Sequence, residues 1–147
     1  MPRYPSVGFA LVTCVLAGCA LAAAATVVLS AWHDGAPANL IQTTHEYNDL
    51  LTSAQLKNFG KKRIISYTIG WAYVLPNRID FHKGALMNVP AGIRPGGVHE
   101  VPDQAVPFNT KAERVIFFVE DLVFEDGSGW KSDKQNVRRM AAPAIPR

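Results

Sequence analysis

This sequence predicts an all-β fold: an antiparallel two-sheet sandwich preceded by an N-terminal signal or transmembrane helix. Three observations point to it. The stretches 64–74 and 114–124 are dense in β-branched and aromatic residues, which suit a pleated, half-buried surface. Turn signals separate such stretches at roughly ten-residue intervals, the rhythm of a sandwich. At the front of the chain, residues 7–32 contain no charged side chain.

The front segment, residues 1–32, reads as a signal peptide or membrane anchor, and three processing routes fit it. Arg3, an apolar stretch and then Leu16-Ala17-Gly18-Cys19 resemble a bacterial lipoprotein cleavage box. In that case Cys19 would carry the lipid, and segments of this kind are set aside before fold reasoning. An uncleaved transmembrane helix also fits, since about 20 apolar residues span a bilayer. Arg3 would then face inward and Trp32 would lie near the opposite headgroups. A secretory signal cleaved within residues 22–25 is the third route. The apolar character continues past Cys19 to Leu29, whereas a lipoprotein normally turns polar there. All three routes place the remainder outside the cytoplasm, in the cell envelope or secreted, with the membrane as its first partner.

Residues 33–39 contain Asp34-Gly35-Ala36-Pro37-Ala38-Asn39 and read as a linker. The sandwich is assigned to 40–133 and a flexible tail to 134–147. A first strand is expected over 40–47. Residues 49–59 suit either a helix or a strand, and the β-rich stretch after them favours a strand. Asn58-Phe59-Gly60-Lys61-Lys62 is turn chemistry. The strand over 64–74 ends at Pro76-Asn77, and another is expected within 79–89. Prolines and glycines over 90–97 make a long turn. Pro102 and Pro107 restrict 98–106 to an edge strand or loop.

The strand over 114–124 is apolar at both odd and even positions, which marks a central strand or a change of face at a bulge. Glu120 and Asp121 interrupt it. In a regular strand they would point to opposite faces. A bulge or strand twist that carries both to solvent, or pairing with Arg114 or Lys131, is the expected arrangement. Asp126-Gly127 then sets a tight hairpin, with Trp130 on the return strand.

The stretch from Leu56 to Trp130 resembles small immunoglobulin-like domains of exported bacterial proteins of uncharacterised function. Asn58 before a short turn, Ile64 and Ile65 with Tyr67 and Trp71, the 90–96 loop, and Phe124-Glu125-Asp126-Gly127 with Trp130 carry the likeness. It covers about half the chain. It implies an immunoglobulin-like β-sandwich and no particular activity.

Composition narrows the function classes. Both cysteines, Cys14 and Cys19, lie in the leader. The domain therefore has no disulfide, cysteine nucleophile or cysteine metal ligand. Without Arg3, 14 basic residues face 12 acidic ones. Lys131, Lys134, Arg138, Arg139 and Arg147 concentrate positive charge in the tail, where solvation is the expected role, and no nucleic-acid partner is expected.

His33, His45, His82 and His99 form no spaced metal pair. Ser66, Ser128 and Ser132 lack a nucleophile-elbow setting. Alternation puts Tyr67, Trp71 and Tyr73 on one face of their strand, with Ile64, Thr68, Gly70 and Ala72 on the other, where small residues admit a close neighbour. Tyr67, Trp71, Asp126, Gly127 and Trp130 are expected to be structural.

The leading expectation is a non-catalytic module for protein or surface contact, with an unidentified protein partner and no cofactor. The rivals are a small exported hydrolase or ion-dependent enzyme built on the loop residues His99, Glu100 and Asp103, and a ligand-binding module.

Overall fold

A computed structural model describes residues 26–46, 50–107 and 109–142. Their strands are β1 (Val27–Ser30), β2 (Ala38–Glu46), β3 (Leu50–Asn58), β4 (Ile64–Val74), β5 (Ile79–Ile93), β6 (Val98–Val101), β7 (Gln104–Ala105), β8 (Arg114–Phe124) and β9 (Gly129–Lys131), followed by helix α1 (Gln135–Ala141). One sheet runs β1-β8-β4-β5, with β9 also on β8. The other runs β2-β3-β6, with β7 also on β3. Every pairing is antiparallel except β1 with β8, which is parallel. The region around Pro102 interrupts what would otherwise be one edge strand, and β6 and β7 are its two halves on β3. A proline without an N–H confines such a strand to an edge.

The two sheets face each other across an apolar interior. Leu40 and Leu56 come from the second sheet, while Tyr67, Ile69, Trp71, Val115, Phe117 and Val119 come from the first. A second apolar layer lies on the outer face of the first sheet. There Ala72, Val74, Ile116 and Phe118 meet Ala31 and, from α1, Val137 and Ala141. Strand β8 is thus buried on both faces and has strands on both edges, which explains why it is apolar at both odd and even positions. The absent Cβ of Gly70 makes room for Phe118, whose Cζ lies 2.6 Å from where that Cβ would sit.

The register slips where the two carboxylates occur. Thr68 faces Asp121 and Ile69 faces Val119, so Glu120 is the extra residue. The bulge returns Leu122 and Phe124 to the interior. Glu120 meets Lys134, and Asp121 pairs with Lys83. A second slip, at Ile65, sends Ile64 into the interior with Tyr67 rather than to the opposite face.

The expected turn over 90–97 is confined to 94–97, because β5 continues through Pro90 to Ile93 at a sheet edge, where a missing N–H is tolerated. Three further boundaries differ from the sequence expectation. The assignment of residues 1–32 to a leader extends too far, because 27–30 form β1 and Ala31 is only 3% exposed. Valines and leucine suit a strand beside β8 as well as they suit lipid, so hydropathy does not separate the two uses. Residues 1–25, including Cys19, lie outside the described part. Among the described residues no helix is long and apolar enough to cross a membrane.

The expected linker at 33–39 is instead packed. Asn39 Oδ1 accepts the His33 N–H at 2.9 Å, and Asn39 Nδ2 donates to the His33 carbonyl at 3.1 Å. Ala36, Ala38 and Asn39 are buried.

The expected flexible tail forms α1 over 135–141. Seven residues make a marginal helix alone. Here Val137 and Ala141 seal the outer layer. Arg114 also donates to the carbonyls of Met140 and Ala141, at 2.6 and 2.8 Å. Those are terminal carbonyls, which lack partners within a helix.

Candidate functional site

The site begins with a gap along one edge of β8. Strand β1 covers residues 114–117 of that edge and β9 covers 121–123. The chain segments that leave β1 and β9 close the space between. The Ala31 N–H donates to the Phe117 carbonyl at 2.7 Å, and the Ser132 N–H donates to the Glu120 carbonyl at 2.8 Å. His33 Nε2 then meets Ser132 Oγ at 3.4 Å. The His33 ring stands edge-on to Phe118 and Trp130, with centroids 6.3 and 5.8 Å away.

Beneath this contact, Glu120 is 3% exposed and accepts an ion pair from Lys134 Nζ at 3.1 Å. Lys134 has φ 63°, the only left-handed residue other than glycine among those described. Its N–H donates to Ser132 Oγ at 3.0 Å. Burial pushes the His33 imidazole below its ordinary pKa, while Asp133 and Glu120 pull the other way. Serine, histidine and glutamate occur together here, yet Ser132 is only 5% exposed and its oxygen already accepts the Lys134 amide. The arrangement braces the two chain ends against the sheet. A solvent-starved hydroxyl tied in this way is poorly placed to attack a substrate.

Above the brace opens a polar cleft of about 370 Å³, lined by His33, Asp34, Trp130, Lys131, Asn136 and Arg139 among others. Trp130 separates it from a shallower groove formed with Pro37, Gly60, Lys61, Lys62 and Phe124. The Pro37 carbonyl accepts the Phe59 N–H at 2.7 Å. Phe59 in turn meets Trp32, with ring centroids 5.3 Å apart at 67°. Trp32 is 48% exposed and Phe59 46%. Lys57 Nζ sits 5.2 Å from the Phe59 ring centre. One end of the molecule therefore carries two open aromatic rings, a third at a cleft wall, and a surround of lysines.

The five residues expected to be structural lie in the interior, at its margin and in the last hairpin. Tyr67 is fully buried, edge-on to His99 at 5.6 Å. Trp71 is 8% exposed and stacks on His82 at 5.8 Å. The Tyr67 hydroxyl and Trp71 Nε1 have no hydrogen-bond partner among the described residues. Gly127 has φ 80°, as a tight hairpin requires. Asp126 Oδ1 accepts the Ser128 N–H at 3.0 Å, and Asp126 pairs with Lys62 at 2.7 Å. The Lys62 ammonium, with help from Ser128, holds the Asp126 carboxyl well below the usual carboxylate range. Trp130 does more than pack, since it lines both clefts.

His99, Glu100 and Asp103 do not converge. His99 points inward onto Tyr67. Glu100 accepts from Gln55 Nε2 at 2.5 Å on the neighbouring strand. Successive strand residues face opposite sides, so these two cannot share a ligand. Asp103 is exposed beyond the end of β6. Among the described residues no three His, Cys, Asp or Glu side chains group as metal ligands.

Trp32, His33, Phe59, Asn136 and Arg139 were not legible as site residues, because they come from separated stretches of the chain. The one local hint is Trp32-His33 at the end of the apolar run. No protein-family model matches this chain, and no curated protein or solved structure is significantly similar to it.

Proposed function

We propose that this protein is a non-catalytic contact module of the cell envelope, or a secreted one. It is an immunoglobulin-like β-sandwich brought outside the cytoplasm by its N-terminal segment. Its working surface is the end that carries Trp32, Phe59 and Trp130. The observation that carries this reading is the open Trp32–Phe59 pair. Large aromatic rings left in water do not help a fold, whereas tryptophan, tyrosine and arginine dominate the energetics of binding surfaces. Two facing sheets with a buried Trp71 between them support the immunoglobulin-like part.

The direction of the chain supports the same reading. Strand β1 begins beside Arg114, at the start of β8. The Asp126-Gly127 hairpin follows the other end of that strand, roughly 33 Å away at strand rise. A tether preceding β1 would leave the aromatic end pointing away from the membrane, free to meet a partner.

A photo-crosslinking residue at position 32, in intact cells, tests the proposal. The expected result is a discrete adduct in the envelope or secreted fraction. The same residue at Asn77, in the turn at the other end of β4, should give none. Equal labelling at both positions, no adduct at 32, or recovery of the protein solely from cytosol would overturn it.

A further inference from the structure

We infer that the cleft between Trp130 and α1 is a binding site for a neutral saccharide. The inference rests on the cleft's own chemistry, not on the exposed Trp32–Phe59 pair. Its floor is His33, only 5% exposed, with Nε2 held by Ser132. A ring locked this way is a preformed polar feature rather than a mobile side chain. Trp130 supplies one wall. The lining is mostly polar, so the half-buried indole offers a small rigid apolar surface for a sugar's C–H groups, and the sugar's hydroxyls carry most of the recognition.

The rim carries two carboxylates, Asp34 and Asp133, and two cations, Lys131 and Arg139. Among the described residues none of these four enters a salt bridge. The formal charges cancel. A simple anion would meet the two aspartates, and a simple cation would meet Lys131 and Arg139. A polyol meets neither penalty, because each hydroxyl both donates and accepts. The carboxylates accept hydrogen bonds from its hydroxyls, while the guanidinium and ammonium donate to its oxygens. Asp133 does so with the capacity left beside the Gln135 N–H, which its Oδ1 accepts at 3.0 Å. The side-chain amide of Asn136 is already committed, donating to the Trp32 carbonyl at 2.5 Å and accepting from Arg139 at 3.4 Å. It therefore positions Arg139 rather than the sugar. The volume of about 370 Å³ falls at the small end of ligand pockets. It suits a mono- or disaccharide unit of a longer chain.

The test uses the full chain in a detergent without a sugar headgroup. Cellobiose, lactose and chitobiose are titrated, with glucuronate as the anionic control, and the Trp130 indole N–H resonance is followed by NMR. At least one neutral disaccharide should shift that resonance saturably. Asp34→Ala and Arg139→Ala, both at exposed positions, should each weaken binding about tenfold or more, a 1.4 kcal/mol change, with unchanged circular dichroism. Phe59→Ala should leave sugar binding intact even if it abolishes the contact proposed for the aromatic end, which keeps the two readings separable. No saturable shift with any neutral sugar would overturn the inference. So would undiminished binding in both variants. Binding of glucuronate alone, strengthened by Asp34→Ala, would replace it with an anion site.

Discussion

Strands β4 and β8 of the first sheet are buried on both faces, yet by different means. The inner face is covered by the second sheet, and its side chains are nearly all apolar. The outer face is covered by the segments that follow β1 and β9: Ala31, the His33 turn, Ser132 and α1. Polar groups enter that outer layer, with Glu120, His33, Ser132 and Thr68 buried there. Sheet-on-sheet packing excludes water by area alone. Short chain ends have too little area for that, so hydrogen bonds and an ion pair must hold them in place. The cleft forms on the side that was closed by polar bracing.

The largest expected effect tests whether the outer layer is a true core. Phe118→Ala should cost about 3–5 kcal/mol in denaturant unfolding, as a buried inner phenylalanine would. A loss comparable to a surface substitution would reduce the outer layer to a loose cover.

Next comes the ion pair beneath the brace. Lys134→Met strands the buried Glu120 carboxylate and should cost about 2 kcal/mol, below the range for a fully buried pair because Lys134 is partly exposed. Adding Glu120→Gln should restore much of the loss. If the double variant is no better than the single one, the pair is not the element that holds α1.

The hairpin offers a smaller contrast at the edge of both layers. Gly127→Val should cost about 1–2 kcal/mol from the left-handed backbone alone, since no described atom lies within 4 Å of the new Cβ. An unchanged melting temperature would show that the turn relaxes freely.

The smallest effect is a pH dependence confined to the outer layer. His33 has a folded-state pKa below its ordinary 6.5, with burial as the main cause. The unfolded chain therefore binds its proton first. The stability this neutral imidazole contributes is fully present above pH 6.5 and is lost as pH falls from there through the folded-state value. His33→Gln should flatten that part of the melting-temperature profile relative to the unsubstituted protein. Identical profiles would mean that the ring is not sealed by the brace.

Much of the inner face could be read from residue order. Tyr67, Trp71 and Tyr73 share a face because strand side chains alternate, which puts Gly70 and Ala72 opposite, where their small size leaves room for Phe118 and the outer layer. Glu120 beside Asp121 in an apolar run pointed to a bulge, and the register slips there. Yet Glu120 stays buried against Lys134 and Asp121 pairs with Lys83, where solvent or pairing with Arg114 or Lys131 was expected. The outer face was hidden. Residues 27–30 have the composition of the apolar run that precedes them in the sequence, and α1 is too short to announce itself by periodicity. The cleft was hidden for a further reason. Trp130 and Arg139 meet His33 from about a hundred residues away in the chain, and no local spacing rule reaches that far.

Local order and composition by themselves determined the β-rich class, the strands β4 and β8, the Asp126-Gly127 turn and the absence of cysteine from the described domain. Those features depend on backbone preference and on the alternation of neighbouring side chains, which act over a few residues. Tertiary structure alone decided that β1 runs parallel to β8, that the C-terminal stretch coils into a helix, and that His33, Ser132 and Glu120 close one edge. Each of these outcomes needed a buried surface to dock on, and that surface exists only once the two sheets have formed.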